Sequence, residues 1–142
     1  PLLSIHVSII MMSYALLSLT FISAIAYFFT RNSKRESVIS VNKQLTDLSQ
    51  IFLYPAITTL GLGIFIGAIW ANISWGTYWG WDPKETWALI TFLIYAIPLH
   101  TNSLPALRKP EKYHFFMLLS FLSILMTYFG VNYILGGMHS YA

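Results

Sequence analysis

Apolar residues gather along this chain in four long stretches separated by short polar or aromatic segments. A helix needs about 20 predominantly apolar residues to cross the hydrocarbon core of a bilayer. The stretches at about 2–30, 51–73, 83–102 and 113–135 meet that length. None of the eight basic and five acidic side chains falls in the core of a stretch. That spacing suits lipid, because a charge at midspan costs roughly 2.5–3.5 kcal/mol on insertion scales. The pattern predicts an all-α membrane protein, a single transmembrane domain of four helices over residues 1–142.

The polar segments orient the expected spans. Arg31, Lys34, Arg35 and Lys43 follow the first stretch, and Arg108, Lys109 and Lys112 follow the third. The segment after the second carries only Lys84. Basic loops stay cytoplasmic, so both termini and the loop at 74–86 are expected on the outer side. Composition agrees: 56% of the 142 residues are hydrophobic and 9% charged, against about 25% charged in soluble domains. The net charge of +3 does not mark a nucleic-acid binder, since the basic residues form no recognition face. Without cysteine, disulfides, thiolate metal sites and thiol chemistry within the chain are excluded. The opening Pro1-Leu2-Leu3 shows no signal-peptide pattern and suggests a piece of a longer polypeptide.

The unusual chemistry lies between the second and third stretches, which are joined by Trp75-Gly-Thr-Tyr-Trp79-Gly-Trp81-Asp82-Pro-Lys84-Glu85-Thr-Trp87. Tryptophans commonly sit in interfacial belts. A belt needs no interleaved glycines, however, and glycines let a flat ligand approach the backbone. Asp82, Pro83 and Glu85 read as the N-cap, first and third positions of a helix in a capping box; direct ligand contact by Asp82 is the alternative. Lys84 reads either as a solvated loop lysine or as a partner for a ligand carboxylate.

The expected topology puts His6 at the outer end of the first span and His139 just beyond the outer end of the fourth. Each reads as a hydrogen-bonded packing residue or as an axial haem ligand, and two imidazoles on opposite faces would complete iron coordination. His100, toward the inner end of the third span, is an ionisable residue at membrane depth and therefore a functional suspect; its plain reading is a hydrogen bond to a neighbouring helix. His114, on an inner helix end, is expected to meet a carbonyl or a headgroup.

The run Trp75–Asp82 with Pro-Lys-Glu-Thr resembles the tryptophan-rich WWD motif of haem-handling proteins. The segments Trp87-Ala-Leu-Ile-Thr-Phe with Leu99-His100, Phe129-Gly-Val-Asn-Tyr with Gly137-Met-His139-Ser-Tyr, and His6-Val-Ser with Ser13-Tyr14-Ala15 are similar to the CcsA (ResC) branch, the system II cytochrome c synthases. The similarity spans nearly the whole chain and is weakest over Arg31–Leu45. It implies transport of haem b across a bacterial inner or thylakoid-type membrane. It further implies joining of the haem vinyl groups, at the outer face, to the thiols of Cys-x-x-Cys-His in apocytochrome c. By the same resemblance, His6 and His139 are the outer haem ligands and His100 is one of two intramembrane ligands, its partner lying on an earlier helix. Trp75, Trp79, Trp81, Asp82 and Lys84 then hold the haem edge. A CcsB-type subunit or fused half and a thiol-reducing partner are expected as well. The rival readings are a haem exporter or chaperone that forms no bond, a bis-His electron-transfer cytochrome, and a structural subunit with interfacial tryptophans.

Overall fold

The computed structural model describes residues 1–135, with side chains through Gly130, and within them the chain is all helical. Helix α1 (Leu2–Thr30) and helix α2 (Glu36–Trp75) form an antiparallel hairpin, and α1 also packs on α4 (Pro110–Leu125). Helix α3 (Pro83–Ala96) rests on α2, α4 and the π-helical segment Met126–Leu135 that continues α4. Among the described residues three helices are long and apolar enough to cross a membrane: Leu2–Thr30, Glu36–Trp75 and Pro110–Gly130.

Most hydroxyls in these spans bond within their own helix, while the buried Tyr95 hydroxyl and His114 Nδ1 have no hydrogen-bond partner among the described residues. Ser18, Ser23 and Thr30 donate to carbonyls one turn back, at 2.7–2.8 Å, as lipid demands of any polar group. The core cluster includes Leu17, Leu53, Leu60, Tyr95, Tyr113 and Met117, and buried hydroxyls such as Ser13, Thr20 and Thr91 lie within the helical packing as well. Ile22, Phe65 and Ile73 point outward, 58–71% exposed. Water would penalise such a surface and lipid does not.

Two boundaries differ from the sequence expectation, each for a visible reason. Helix α2 begins at Glu36 and not near residue 51, because its first turns are amphipathic and have polar partners. Asn42 pairs with Thr30 at 2.6 Å, Thr46 with His114 at 2.8 Å and Ser49 with the Tyr113 hydroxyl at 3.0 Å. The expected loop is therefore mostly helix. The third stretch is α-helical for only 14 residues and then tightens into a 3-10 turn, Ile97–His100. Pro98 has no N–H to offer the Ile94 carbonyl, and the Ile97 N–H takes that carbonyl.

Candidate functional site

The loop between α2 and α3 is shaped by three local devices. Gly76 ends α2 in the left-handed conformation, φ 79°, with its N–H on the Asn72 carbonyl. Glycine adopts that geometry at no steric cost. Trp81 is left-handed too, φ 55°, which costs an L-residue about 1–2 kcal/mol. The capping box then fixes the end of the loop. Asp82 accepts from the Lys84 N–H at 3.2 Å, and Glu85 accepts from the N–H groups of Asp82 and Gly80 at 3.2 and 2.9 Å. The Glu85 carboxylate thus holds the backbone on both sides of the strained Trp81.

Across from this loop, the first turns of α1 lie against α2. Nδ1 of His6 is 2.7 Å from the Gly63 carbonyl oxygen. A carbonyl only accepts, so Nδ1 carries the proton and the lone pair sits on Nε2, the arrangement found in ligating histidines. The imidazole lies over Gly67, where a Cβ would come within 2.7 Å of Nδ1.

The two sides enclose a cavity of about 340 Å³, in the range of small-molecule sites. Val7, Ile10, Met11, Ile64 and Ala68 supply apolar wall, with Tyr14 and Thr127 in the lining. His6, Trp79, Lys84 and Glu85 reach the same space. The Lys84 ammonium lies 5.8 Å from the Tyr128 ring centroid.

Of the residues singled out by sequence, the structure brings His6, Trp79 and Lys84 together at this cavity. Trp75 packs edge-on against Trp70, ring centroids 4.9 Å apart, and does not line it. Trp81 is 68% exposed and meets Trp79 edge to face at 5.7 Å. Asp82 caps α3 and does not line the cavity. His100 lies at the opposite end of α3, exposed, with Nδ1 2.9 Å from the Ala96 carbonyl. Its neighbours Leu99 and Thr101 line a second recess of about 440 Å³ with Asp47, Gln50 and Tyr54. His139 lies outside the described residues. Tyr14, Gly67, Thr127 and Tyr128 were not anticipated as site residues; for Tyr14 the signal was helical spacing, because His6, Ile10 and Tyr14 share one face of α1.

His114 has a structural role. It meets neither carbonyl nor headgroup: Nε2 pairs with the Thr46 hydroxyl, and the ring stacks on Tyr27 with centroids 4.5 Å apart. Thr46 keeps a second bond, to the Asn42 carbonyl. His114→Leu should therefore cost only about 1 kcal/mol and leave ligand binding intact. Thermal unfolding in detergent, followed beside the absorbance of any bound chromophore, checks both halves.

The donor set suits a flat macrocycle better than a bare ion. Among the described residues no three His, Cys, Asp or Glu side chains gather as a metal site. A haem brings its own four equatorial nitrogens and asks for axial imidazole, apolar wall and a cation for its carboxylates. His6, the walls and Lys84 match those demands.

Comparison with known proteins points the same way. Residues 1–139 match the family described as cytochrome C assembly protein. The chain is 44% identical to protein NrfI of Wolinella succinogenes, covering 99% of this chain and 16% of that protein. It is 43% identical to the cytochrome c biogenesis protein CcsA of Solanum bulbocastanum, over 82% of this chain and 36% of the relative. The CcsA of Cyanophora paradoxa is 46% identical over 74% of this chain and 32% of its own length. The chain thus spans well under half of the length of these curated relatives, from 16% to 36%.

Proposed function

Since the chain belongs to the cytochrome c assembly protein family, we propose that it forms the haem-presenting part of a membrane cytochrome c synthase. The observation that carries this reading is the convergence of the His6 imidazole, Trp79 and Lys84 on one apolar cavity. In this reading four segments cross the membrane. The 14 helical residues of α3 plus the four of the 3-10 turn reach roughly 29 Å at 1.5 and 2.0 Å per residue, close to the bilayer core. The basic loops face the cytoplasm, and the cavity faces the outer side of a bacterial inner or thylakoid-type membrane.

His6 Nε2 ligates the iron of haem b from one face, and His139 does so from the other. Trp79 covers the ring, Trp75 and Trp81 shape the loop from outside the cavity, and Lys84 pairs with a propionate. Asp82 holds the loop in place. His100 belongs to a second, inner haem site whose other ligand lies on another helix of the longer protein or its CcsB-type partner. The bound haem supplies two vinyl groups; each substrate thiol adds across one, its sulfur bonding one carbon and its proton going to the other, with no net change in oxidation state. This chain contributes positioning, which is worth roughly 7–11 kcal/mol when geometry is right. The apocytochrome brings the nucleophiles, and a separate thiol reductant keeps them reduced.

The test is co-expression of the complete polypeptide with an apocytochrome bearing Cys-x-x-Cys-His. Covalent haem on the cytochrome in a denaturing gel is the expected result. A haem spectrum in the membrane protein without covalent product would reduce it to a carrier, and absence of haem would refute the site.

Lys84 gives this reading a charge dependence. Lys84→Gln should retain haem in detergent less well than the native protein, and Lys84→Arg should retain it about as well.

A further inference from the structure

We propose that Gly67 is a positioning residue for His6: its missing side chain seats the imidazole and opens the Gly63 carbonyl that fixes the ring's tautomer. The inference rests on the reading of His6 as a haem ligand. A Cβ at Gly67 would collide with Cε1 of His6 and lie 2.7 and 3.1 Å from Nδ1 and Nε2. Three atoms of one rigid ring are involved, so relief requires the imidazole to swing away as a whole.

The second half of the argument is the hydrogen bond. In an α-helix the carbonyl of residue 63 points toward residue 67 and accepts its N–H. A carbonyl has two lone pairs, and His6 Nδ1 takes the other at 2.7 Å. A side chain at 67 would crowd Nδ1, the atom that reaches the Gly63 carbonyl. The same substitution that displaces the imidazole would therefore also strip Nδ1 of its acceptor, releasing the tautomer that keeps the lone pair on Nε2. Second-shell partners of this kind set ligand geometry and basicity.

Helix propensity opposes this outcome, which makes the test sharp. Glycine inside a helix is unfavourable relative to alanine, so Gly67→Ala should stabilise α2 if the position were neutral. Gly61 is the control on the same helix. A Cβ there would meet the Phe92 ring at 3.2 Å, well away from His6.

The experiment uses the full-length protein, purified with haem, as Gly67→Ala, Gly61→Ala, His6→Ala and the His6→Ala/Gly67→Ala pair. The readouts are the axial-ligation spectrum with and without added imidazole, and thermal unfolding after haem removal. Gly67→Ala is expected to lose roughly 10–100-fold in haem retention, the range for second-shell changes. Its spectrum should shift toward that of His6→Ala and, unlike that of His6→Ala, should not recover with imidazole, because the new Cβ fills the seat. The pair should be no worse than His6→Ala alone, and Gly61→Ala should resemble the native protein. A native spectrum in Gly67→Ala beside a changed one in His6→Ala would overturn the seat and leave the ligand reading standing. An unchanged spectrum in His6→Ala would refute the ligand and the seat with it. If Gly67→Ala does not fold, a folded pair supports a clash acting through His6, whereas an unfolded pair overturns the proposal.

Discussion

Alanine at His6 is expected to abolish cytochrome maturation while leaving the membrane protein in place. The imidazole is half-buried and reaches out of α1 to the Gly63 carbonyl, so its removal deletes one hydrogen bond and leaves a space over Gly67. The cost to folding is small, because the carbonyl remains within the α2 ladder. The cost to function is large. A displacement of about 1 Å from the reacting geometry can reduce rate by ~100-fold, and on the proposed ligation the loss of His6 would free the haem to shift by at least that much. Covalent haem on a co-expressed cytochrome should therefore fall by about two orders of magnitude, with protein abundance near native. The vacated space has the shape of the ring that left it and a carbonyl to receive an N–H. Added imidazole should consequently restore much of the product. Undiminished product in His6→Ala would remove His6 from the mechanism. Loss without rescue, together with loss of the protein, would make it a packing residue.

Sequence and structure agree best where chemistry is local. The capping box at Asp82–Glu85 was readable because its residue types and spacing are themselves the geometry, and both of its bonds are present. The long apolar helices followed from composition. The ends of the second and third stretches did not. The early turns of α2 carry charge and read as loop, yet Thr46 and Ser49 are buried against His114 and Tyr113, contacts invisible without knowing which helix lies alongside. Pro98 was visible, but its effect on helix type depended on the whole third stretch staying helical up to it. The site divides in the same way. Trp79, Lys84 and His6 are residue types whose chemistry is readable in the sequence, whereas Gly67 and Thr127 reach the cavity lining only through the packing of the helices. Tryptophan content alone could not say that Trp79 turns inward and Trp81 outward.

The loop geometry sets the second large effect, expected at Glu85. Its carboxylate accepts from Gly80 and Asp82, the residues on either side of Trp81. Those two bonds offset the strain of about 1–2 kcal/mol that a left-handed L-residue carries. Glu85→Ala removes both, and capping interactions of this kind are worth about 0.5–2 kcal/mol. With the clamp gone, the backbone at Trp81 should relax toward negative φ, re-aiming the segment that carries Trp79 into the cavity. A change of one or two kcal/mol alters a local population by about 5–30-fold, and maturation should fall by a similar factor. Glu85→Gln retains an oxygen able to accept both N–H groups, so it should stay near native. Asp82 follows the same logic, because asparagine caps a helix about as well as aspartate. Asp82→Asn should keep most activity and Asp82→Ala should lose it. Hydrogen exchange of the Gly80 amide should accelerate in Glu85→Ala and remain slow in Glu85→Gln. If Asp82→Asn were as defective as Asp82→Ala while that amide stayed protected, the carboxylate's charge would be acting on substrate or haem directly, and capping would no longer account for its role.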